Sequence, residues 1–491
     1  MDYFGLSTYS LNDASASAGA QVAAFLTSAD AKAESNALLR GQDAVLSAIS
    51  GVVNEPVAAS ASVQAAAETA EMELVAQWTT LINAVAVKVP YGKLDEIRNL
   101  NGVKRAYVER TFAVPDEPVT DAGAIAGYSY DMVGVQAAWN AGYTGRGMLV
   151  AVLDTGLDLN WQAYADPHIV SVHEAFTENS FKSADAKGYL RYNSASLESF
   201  LKANTLNAEF RGGETELTYD YNALYKNAKV PFAYDYAELD LNVLPSDSDH
   251  GTHVSGTIAG YAADSEGAVK FSGVAPDAQI LSMKVFPDSG GGAKESDTIS
   301  ALEDAMKLGA DVINLSLGSD NGFAEDDTAQ EELYDTVRAA GVLLMTSAGN
   351  ADDSDYMNNY GGNNLTADPE VSMMSSPAVY DSNLAVASIN NTVDVQTIFT
   401  WTDAEDEEHE VVYADANTPS MKYKFAGKEP VSIIPVGGTG TYSDYYNAGF
   451  RSYYGYGGEK GVSGIALVQR GEISFVDKMA HPVVSVLLHG Y

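Results

Sequence analysis

Four apolar runs constrain this chain most: Met148–Leu153, Gln279–Val285, Val312–Leu317 and Gly341–Thr346. A strand buried on both faces shows no polar alternation, so such runs read as inner strands of a parallel sheet. Segments of helical pattern, Ser296–Leu308 and Ala329–Ala340, lie between the last three. Strands alternating with helices predict an α/β domain, a doubly wound parallel sheet with right-handed crossovers, starting near residue 136. In open sheets of this kind ligands and catalytic groups gather at the carboxyl ends of the strands. The residues that follow each run are therefore the ones to read for chemistry.

The remainder of the 491 residues leaves room for further domains, about two to four in all. Residues 13–75 are rich in Ala, Ser, Gln and Glu. Val22, Phe25 and Leu26, and then Leu38 and Leu39, suggest helices there. Thr80–Val89 alternates like a strand, Leu94–Leu100 reads as a short helix, and Gly102–Glu109 reads as a second strand, a small β–α–β packet. Pro115 and Pro118 mark an exposed linker at 111–135. A polar stretch at about 160–245 reads as an insert. From about 390 short alternating segments, many Gly and Tyr, and the acidic stretch Asp403–Glu410 predict a separate β-rich module. The boundaries are 1–115, 116–135, 136–390 and 391–491.

Composition excludes several classes of function. Lys and Arg number 28 against 67 Asp and Glu, a formal charge of −39. A phosphate-binding surface needs basic residues, so nucleic acid is not an expected partner, and anionic lipid is disfavoured. No run of about 18 apolar residues occurs, so no membrane span is expected. Cysteine is absent, which removes disulfides, thiolate zinc sites and a cysteine nucleophile. The N-terminus Met1-Asp2-Tyr3-Phe4 is not a secretory signal.

Three motifs follow apolar or small-residue segments. Val152-Leu153-Asp154-Thr155-Gly156 closes the first run. Asp154 at the end of a buried strand needs a partner, unless it merely caps the next turn. Asp-Thr-Gly also occurs in aspartic proteases, but those need two facing aspartates and this sequence has one such triplet. In Asp249-His250-Gly251-Thr252-His253-Val254-Ser255-Gly256 small residues let a helix start pack against the sheet, with His250 at its first turn. Two His three apart can be metal ligands, but no His-Glu-x-x-His and no third ligand accompany them. A satisfied core histidine fits His253 better than His250. Thr346-Ser347-Ala348-Gly349-Asn350 ends the fourth run. Its side-chain amide can face a developing oxyanion, or be a turn Asn after Gly.

Together and in this order the motifs resemble the subtilisin family of serine endopeptidases. Gly273-Val274-Ala275-Pro276-Asp277-Ala278 and Asn314-Leu315-Ser316-Leu317-Gly318-Ser319 are similar to the family as well. The resemblance implies that Asp154 orients the imidazole, that His250 is the general base, and that Asn350 is the side-chain oxyanion donor of an Asp-His-Ser triad. It implies that Ser316, Leu317 and Gly318, with Ala348 and Gly349, wall the primary specificity pocket. Gly290 and Gly291, with Gly292, resemble the edge segment that pairs with an extended peptide; alone they would read as a flexible turn. The substrates implied are proteins or peptides. No cofactor is required for that chemistry. Structural calcium is a candidate, because the family often binds it and acidic loops such as Asp320–Asp327 and Asp352–Asp355 are available, though such loops are commonly plain solvated surface. No metal ligands are assigned.

The family's nucleophile stretch is missing: no Gly-Thr-Ser and no Gly-x-Ser-x-Gly occurs in the chain. Gly464–Lys478 resembles the core of a protease-associated domain, which the large cell-envelope, lactocepin-like branch carries between its Asn and Ser motifs. The insert, with Phe232-Ala233-Tyr234-Asp235-Tyr236-Ala237, resembles that branch too. The tail His481–His489 does not. The expectation is a chain truncated before its Ser, from an interrupted reading frame. Residues 76–115 resemble an inhibitory propeptide, with Tyr107-Val108-Glu109-Arg110 as its final strand and processing at about 114–128. The reading is a secreted or cell-envelope zymogen inhibited by its own propeptide. The alternative is a non-catalytic peptide-binding protein on the same scaffold.

Overall fold

The structure is a computed structural model. It describes residues 17–54, 72–113, 129–161, 170–210, 221–246, 248–319, 328–350, 374–389, 397–402, 407–413, 433–436, 447, 465–468 and 487–488. The chain divides into two units, one of residues 1–118, 130–162 and 170–390, the other of 119–129, 163–169 and 391–491.

The first unit opens with α1 (Ala18–Leu26), capped by the Ser17 hydroxyl, which accepts from the Ala20 amide at 3.3 Å. Val22 and Leu26, one turn apart, are buried on the same face. The longer α2 (Ala29–Asn54) follows. The antiparallel hairpin of β1 (Glu73–Trp78) and β2 (Ala84–Lys88) and the short α3 (Leu94–Arg98) come next. Ile49, Val53 and Ile97 make a small core under this packet. The strand expected over Thr80–Val89 begins only at Ala84, because Thr79–Asn83 is the hairpin turn. No strand forms over Gly102–Glu109; the extended pairing is at β3 (Thr111–Phe112). Side chains of this segment engage two helices further along the chain: Lys104 and Arg105 reach Glu332, Tyr107 reaches Glu295 and Glu109 accepts from the Ser296 amide.

The main sheet contains β4 (Leu149–Asp154), β5 (Phe232–Asp235), β6 (Gln279–Lys284), β8 (Val312–Leu315), β9 (Leu343–Ser347) and β10 (Leu384–Val386). The spatial order is β10-β9-β8-β4-β6-β5, with every neighbouring pair parallel. Successive residues of β4 feed two cores. Leu149, Ala151 and Leu153 join Leu302 and Ala305 of α5 (Glu295–Leu308) and Val337 of α6 (Thr328–Ala339). Val150 and Val152 join Ala259 of α4 (His250–Ala259). Helices thus cover both faces, and the expected doubly wound α/β sheet is the fold found. The two-residue β7 (Ala293–Lys294) lies outside this sheet.

The stretch 160–245 is not wholly insert. Its Phe232–Asp235 segment is an edge strand of the main sheet, and Phe232, Tyr234 and Tyr236 have no exposed surface. Four residues are too few to declare a strand by periodicity. Residues 129–132 and 135–140 are helical, so the expected linker at 116–135 ends earlier; 114–128 lie outside the described residues.

The second unit contains an antiparallel pair, β11 (Thr397–Thr402) and β12 (Glu408–Tyr413). It also contains a parallel trio, β13 (Ile433–Val436), β14 (Ile465–Val468) and β15 (Leu487–Leu488). Most of its described residues lie in these strands, in keeping with a β-rich module.

Helix α5 is unusual. It is polar over much of its circumference, yet all but one of its residues are buried. Asp304, without exposed surface, accepts from the Asn207 and Ala208 amides at 2.7 and 2.9 Å and from the Tyr236 hydroxyl at 2.9 Å. Burial nevertheless pushes its carboxyl up to about 6. A carboxyl whose pKa is higher folded than unfolded binds more protons in the native state, so its contribution to stability is lost as pH rises from about 4 to 6. The stability difference between wild type and Asp304→Asn, followed by thermal unfolding against pH, should therefore change by about 2–3 kcal/mol across that window. Parallel slopes would remove Asp304 as the source.

Candidate active site

Strand β4 sits where the chain reverses direction across the sheet, with β8, β9 and β10 to one side and β6 and β5 to the other. This switch point is where α/β sheets place their ligands. Asp154, the last residue of β4, is 1% exposed there. Its Oδ1 accepts from the Thr155 amide at 2.7 Å and lies 2.7 Å from His250 Nδ1. His250 is the first residue of α4 and is also buried. The Thr155 hydroxyl accepts from the Gly251 amide at 2.9 Å, which ties the helix start to the strand end. Gly251 has no room for a side chain: a Cβ would stand 2.4 Å from the Gly156 carbonyl and 3.0 Å from Asp154 Cβ. With Nδ1–H donated to the carboxylate, Nε2 of His250 is left with its lone pair, the tautomer a general base requires.

A buried pair supports this strand end. Asp154 is in register with Lys284 on β6, and Lys284 with Asp235 on β5. Lys284 Nζ donates to Asp235 Oδ2 at 2.6 Å and to Asp288 Oδ1 at 2.9 Å. Burial opposes the charge on Lys284, but the two carboxylates outweigh it and hold its pKa above the ordinary lysine value. Sequence reading missed this group, because its members sit 49 residues apart inside strands.

One residue expected to meet substrate, Gly318, is met by the chain itself. β3 pairs antiparallel with β7, Thr111 opposite Lys294 and Phe112 opposite Ala293. One residue on, the Ala113 amide donates to the Gly318 carbonyl at 2.9 Å, and the Gly318 amide returns a bond at 3.3 Å. Residues 111–113 are thus an extended strand held on both sides, by β7 and by Gly318. Gly290 and Gly291 have positive φ and form the turn entering β7. They are not paired in β3–β7; the close approach belongs to Gly292, where a Cβ would stand 2.5 Å from the Phe112 carbonyl. Leu317 is buried and Ser316 half-buried. Gly318 leads into Ser319, which exchanges two 3.0 Å backbone bonds with Ser376. The Ser375 amide donates to the Ala348 carbonyl at 2.8 Å, and Gly349, at φ +100°, packs against the Ser375 side chain. Ser375 and Ser376 therefore join the 348–349 segment to Ser319, the residue after 316–318, a link that no motif announced. Asn350 is exposed just beyond β9, at the same carboxyl end of the sheet as Asp154.

The sequence profile of the subtilase family matches residues 145–456, more than half the chain. The chain belongs to the subtilase family. It is similar to the PI-type proteinase of Lactococcus lactis subsp. cremoris, 27% identical over 460 residues, which cover 92% of this chain and 21% of that protein. It is similar also to the C5a peptidase of Streptococcus pyogenes, 30% identical over 349 residues, 69% of this chain and 25% of that protein. The chain thus spans about a fifth to a quarter of the length of these relatives. Among solved structures, fervidolysin from Fervidobacterium pennivorans matches at 18% identity over 70% of this chain and 41% of that one; its TM-score of 0.37 carries no argument.

Among the described residues no group of three or more His, Asp or Glu is assembled for a metal. The acidic stretches 320–327 and 352–355 lie outside the described residues. Among the described residues no helix is long and apolar enough to cross a membrane.

Proposed function

We propose that this subtilase chain is part of a secreted serine endopeptidase precursor that hydrolyses peptide bonds in proteins. The observation that carries the reading is the 2.7 Å contact of His250 Nδ1 with Asp154 at the sheet's switch point. A serine hydroxyl facing Nε2 would pass its proton to His250 as it attacks the carbonyl, and the Asp154 carboxylate would stabilise the imidazolium formed. Asn350 would donate to the oxyanion, with backbone amides beside it. No Gly-Thr-Ser stretch exists in these residues, so the serine is taken to come from sequence beyond residue 491. The low share of the relatives' length that the chain spans supports this.

In the same reading residues 76–115, described as far as 113, act as an intramolecular inhibitor. Residues 111–113 are bonded between β7 and Gly318 as an extended substrate would be. Cutting at about 114–128 would free the cleft. Calcium is no part of the proposed chemistry.

The missing serine motif favours a second reading, a peptide-binding protein without chemistry. A fluorophosphonate probe separates the two. Full-length protein, expressed from DNA that extends past codon 491, should label covalently, and the 491-residue chain should not. If the downstream DNA in every frame lacks a Gly-Thr-Ser codon set and the full-length product stays unlabelled, the peptidase reading fails.

A further inference from the structure

Asp288 lies in the turn that enters β7, and it is tied at three points. Its Oδ1 accepts from Lys284 Nζ at 2.9 Å, its amide donates to Glu238 Oε1 at 3.0 Å, and its carbonyl accepts from the Ser246 hydroxyl at 3.0 Å. The three ties come from three places: the end of β6, the turn after β5 and the segment that leads to His250. Asp288 is nevertheless exposed, with 41% of its side chain open to solvent. Surface turns are the mobile parts of most folds, so a surface residue held on its carboxylate, its amide and its carbonyl together needs a reason.

The anchors are themselves fixed. Asp235 takes Lys284 on Oδ2 at 2.6 Å and accepts from the Ala237 and Glu238 amides on Oδ1 at 2.9 and 3.0 Å. The same turn is closed by two backbone bonds between Asp235 and Asp240, at 3.0 and 3.2 Å. Within it Leu239 has a φ of +62°, a conformation that branched side chains rarely adopt. Such backbone persists where its surroundings over-determine it. The chain then passes the end of β4. The Leu157 amide donates to the Val243 carbonyl at 2.9 Å, and a Cβ on Gly156 would stand 2.3 Å from that carbonyl. It reaches α4 where the Ser248 hydroxyl accepts from the His250 amide at 3.2 Å. The frame that holds Asp288 is therefore continuous with the frame that holds Asp154 and His250.

Beyond Asp288 the chain is soft. Gly290, Gly291 and Gly292 follow one another, the first two at φ +76° and +104°, and glycine restrains a backbone least of all residues. β7 comes next and is two residues long. Its far end is fixed by α5, which starts at Glu295; its near end has no fixed point closer than Asp288 among the described residues. We propose that Asp288 is a positioning residue for extended peptide: Lys284, Glu238 and Ser246 hold it so that β7 stands at pairing distance from a strand in the cleft, in fixed register with the Asp154–His250 pair. The proposal rests on the peptidase reading and adds to it a residue that itself touches no substrate. The substrate it serves is a peptide long enough to lie where Thr111 and Phe112 lie now, opposite Lys294 and Ala293. Strand pairing at an edge is made in the bound substrate and in the transition state alike, so its loss is read in KM and not in kcat.

The test has two arms, both on Asp288→Ala, which leaves the buried Lys284–Asp235 pair in place. In the 491-residue chain the amides of 293–295 should exchange hydrogen about 5-fold faster than in wild type, with the urea midpoint unchanged. Asp288→Glu, which keeps a carboxylate within reach of Lys284, should restore most of the protection. In full-length protein expressed from DNA that extends past codon 491, KM for a peptide spanning the positions of 111–113 should rise about 10-fold while kcat stays within about 2-fold. The ratio of that KM to the KM of a peptide too short to reach β7 should rise with it. Wild-type exchange at 293–295 would overturn the proposal. So would a lowered urea midpoint that accounts for the faster exchange, or a loss confined to kcat. The exchange arm needs no hydrolysis, so a full-length protein that cleaves nothing would sink the peptidase reading and leave the hold of Asp288 on β7 to be decided by exchange.

Discussion

Replacing His250 by Ala in a full-length chain that carries its serine is expected to lower kcat for peptide hydrolysis by about four to six orders of magnitude, with KM little changed. The size follows from the geometry. Asp154 fixes His250 by one bond at 2.7 Å, and among the described residues no other imidazole lies at this strand end: His253, one turn on, is exposed. Without the ring the serine proton has no acceptor. Asp154→Asn should cost about 10⁴, because the amide selects the wrong tautomer while the ring stays in place. Gly251 makes a control, since any side chain there drives into the Gly156 carbonyl and damages the site by displacement, not by removing a base. Active-site titration and steady-state kinetics on a peptide substrate give the check. A His250→Ala enzyme within 10-fold of wild type would mean that the base lies elsewhere.

The second large effect concerns stability. Lys284→Met should destabilise the 491-residue chain by about 3–5 kcal/mol, because it strands the Asp235 carboxylate in the interior. Asp235 has no exposed surface, and its two remaining hydrogen bonds, from the Ala237 and Glu238 amides, do not neutralise it. Asp288, the other carboxylate on Lys284, is 41% exposed and stays solvated. The double variant Lys284→Met with Asp235→Leu should recover most of the loss, since neither charge is then buried alone. Urea unfolding of the four proteins in the cycle measures it. Equal midpoints for wild type and Lys284→Met would show that the pair contributes nothing.

How much could be read beforehand depended on how local the signal was. The four apolar runs locate strands to within a residue or two, because a strand buried on both faces needs an unbroken run. Asp154 and His250 were legible since each sits in a short motif at a strand end or helix start. β5 was not, because four residues of Phe-Ala-Tyr-Asp inside a polar region give no period. The final strand of the N-terminal segment was expected at Tyr107–Arg110 and lies at Thr111–Phe112. Tyr107 and Glu109 are spent on α5 instead, and no local pattern records a partner some 190 residues away. Ser375–Ser376 and Lys284–Asp235 were invisible for the same reason. Leu38 and Leu39 suggested a helix correctly but are only half-buried, while Gln42 and Ile49 face inward.

Helix α5 carries one more consequence. Its outer side is covered by the N-terminal segment, yet Glu295, Ser296, Ser300 and Glu303 keep it hydrophilic. Under the proposed removal of that segment, one stretch of sequence would have to be soluble in two media, the covering segment first and water afterwards. Any substitution that greases this side to tighten the precursor would leave an adhesive stripe on the protein once the cover is gone. That double requirement limits how stable the precursor can become without making its product aggregate.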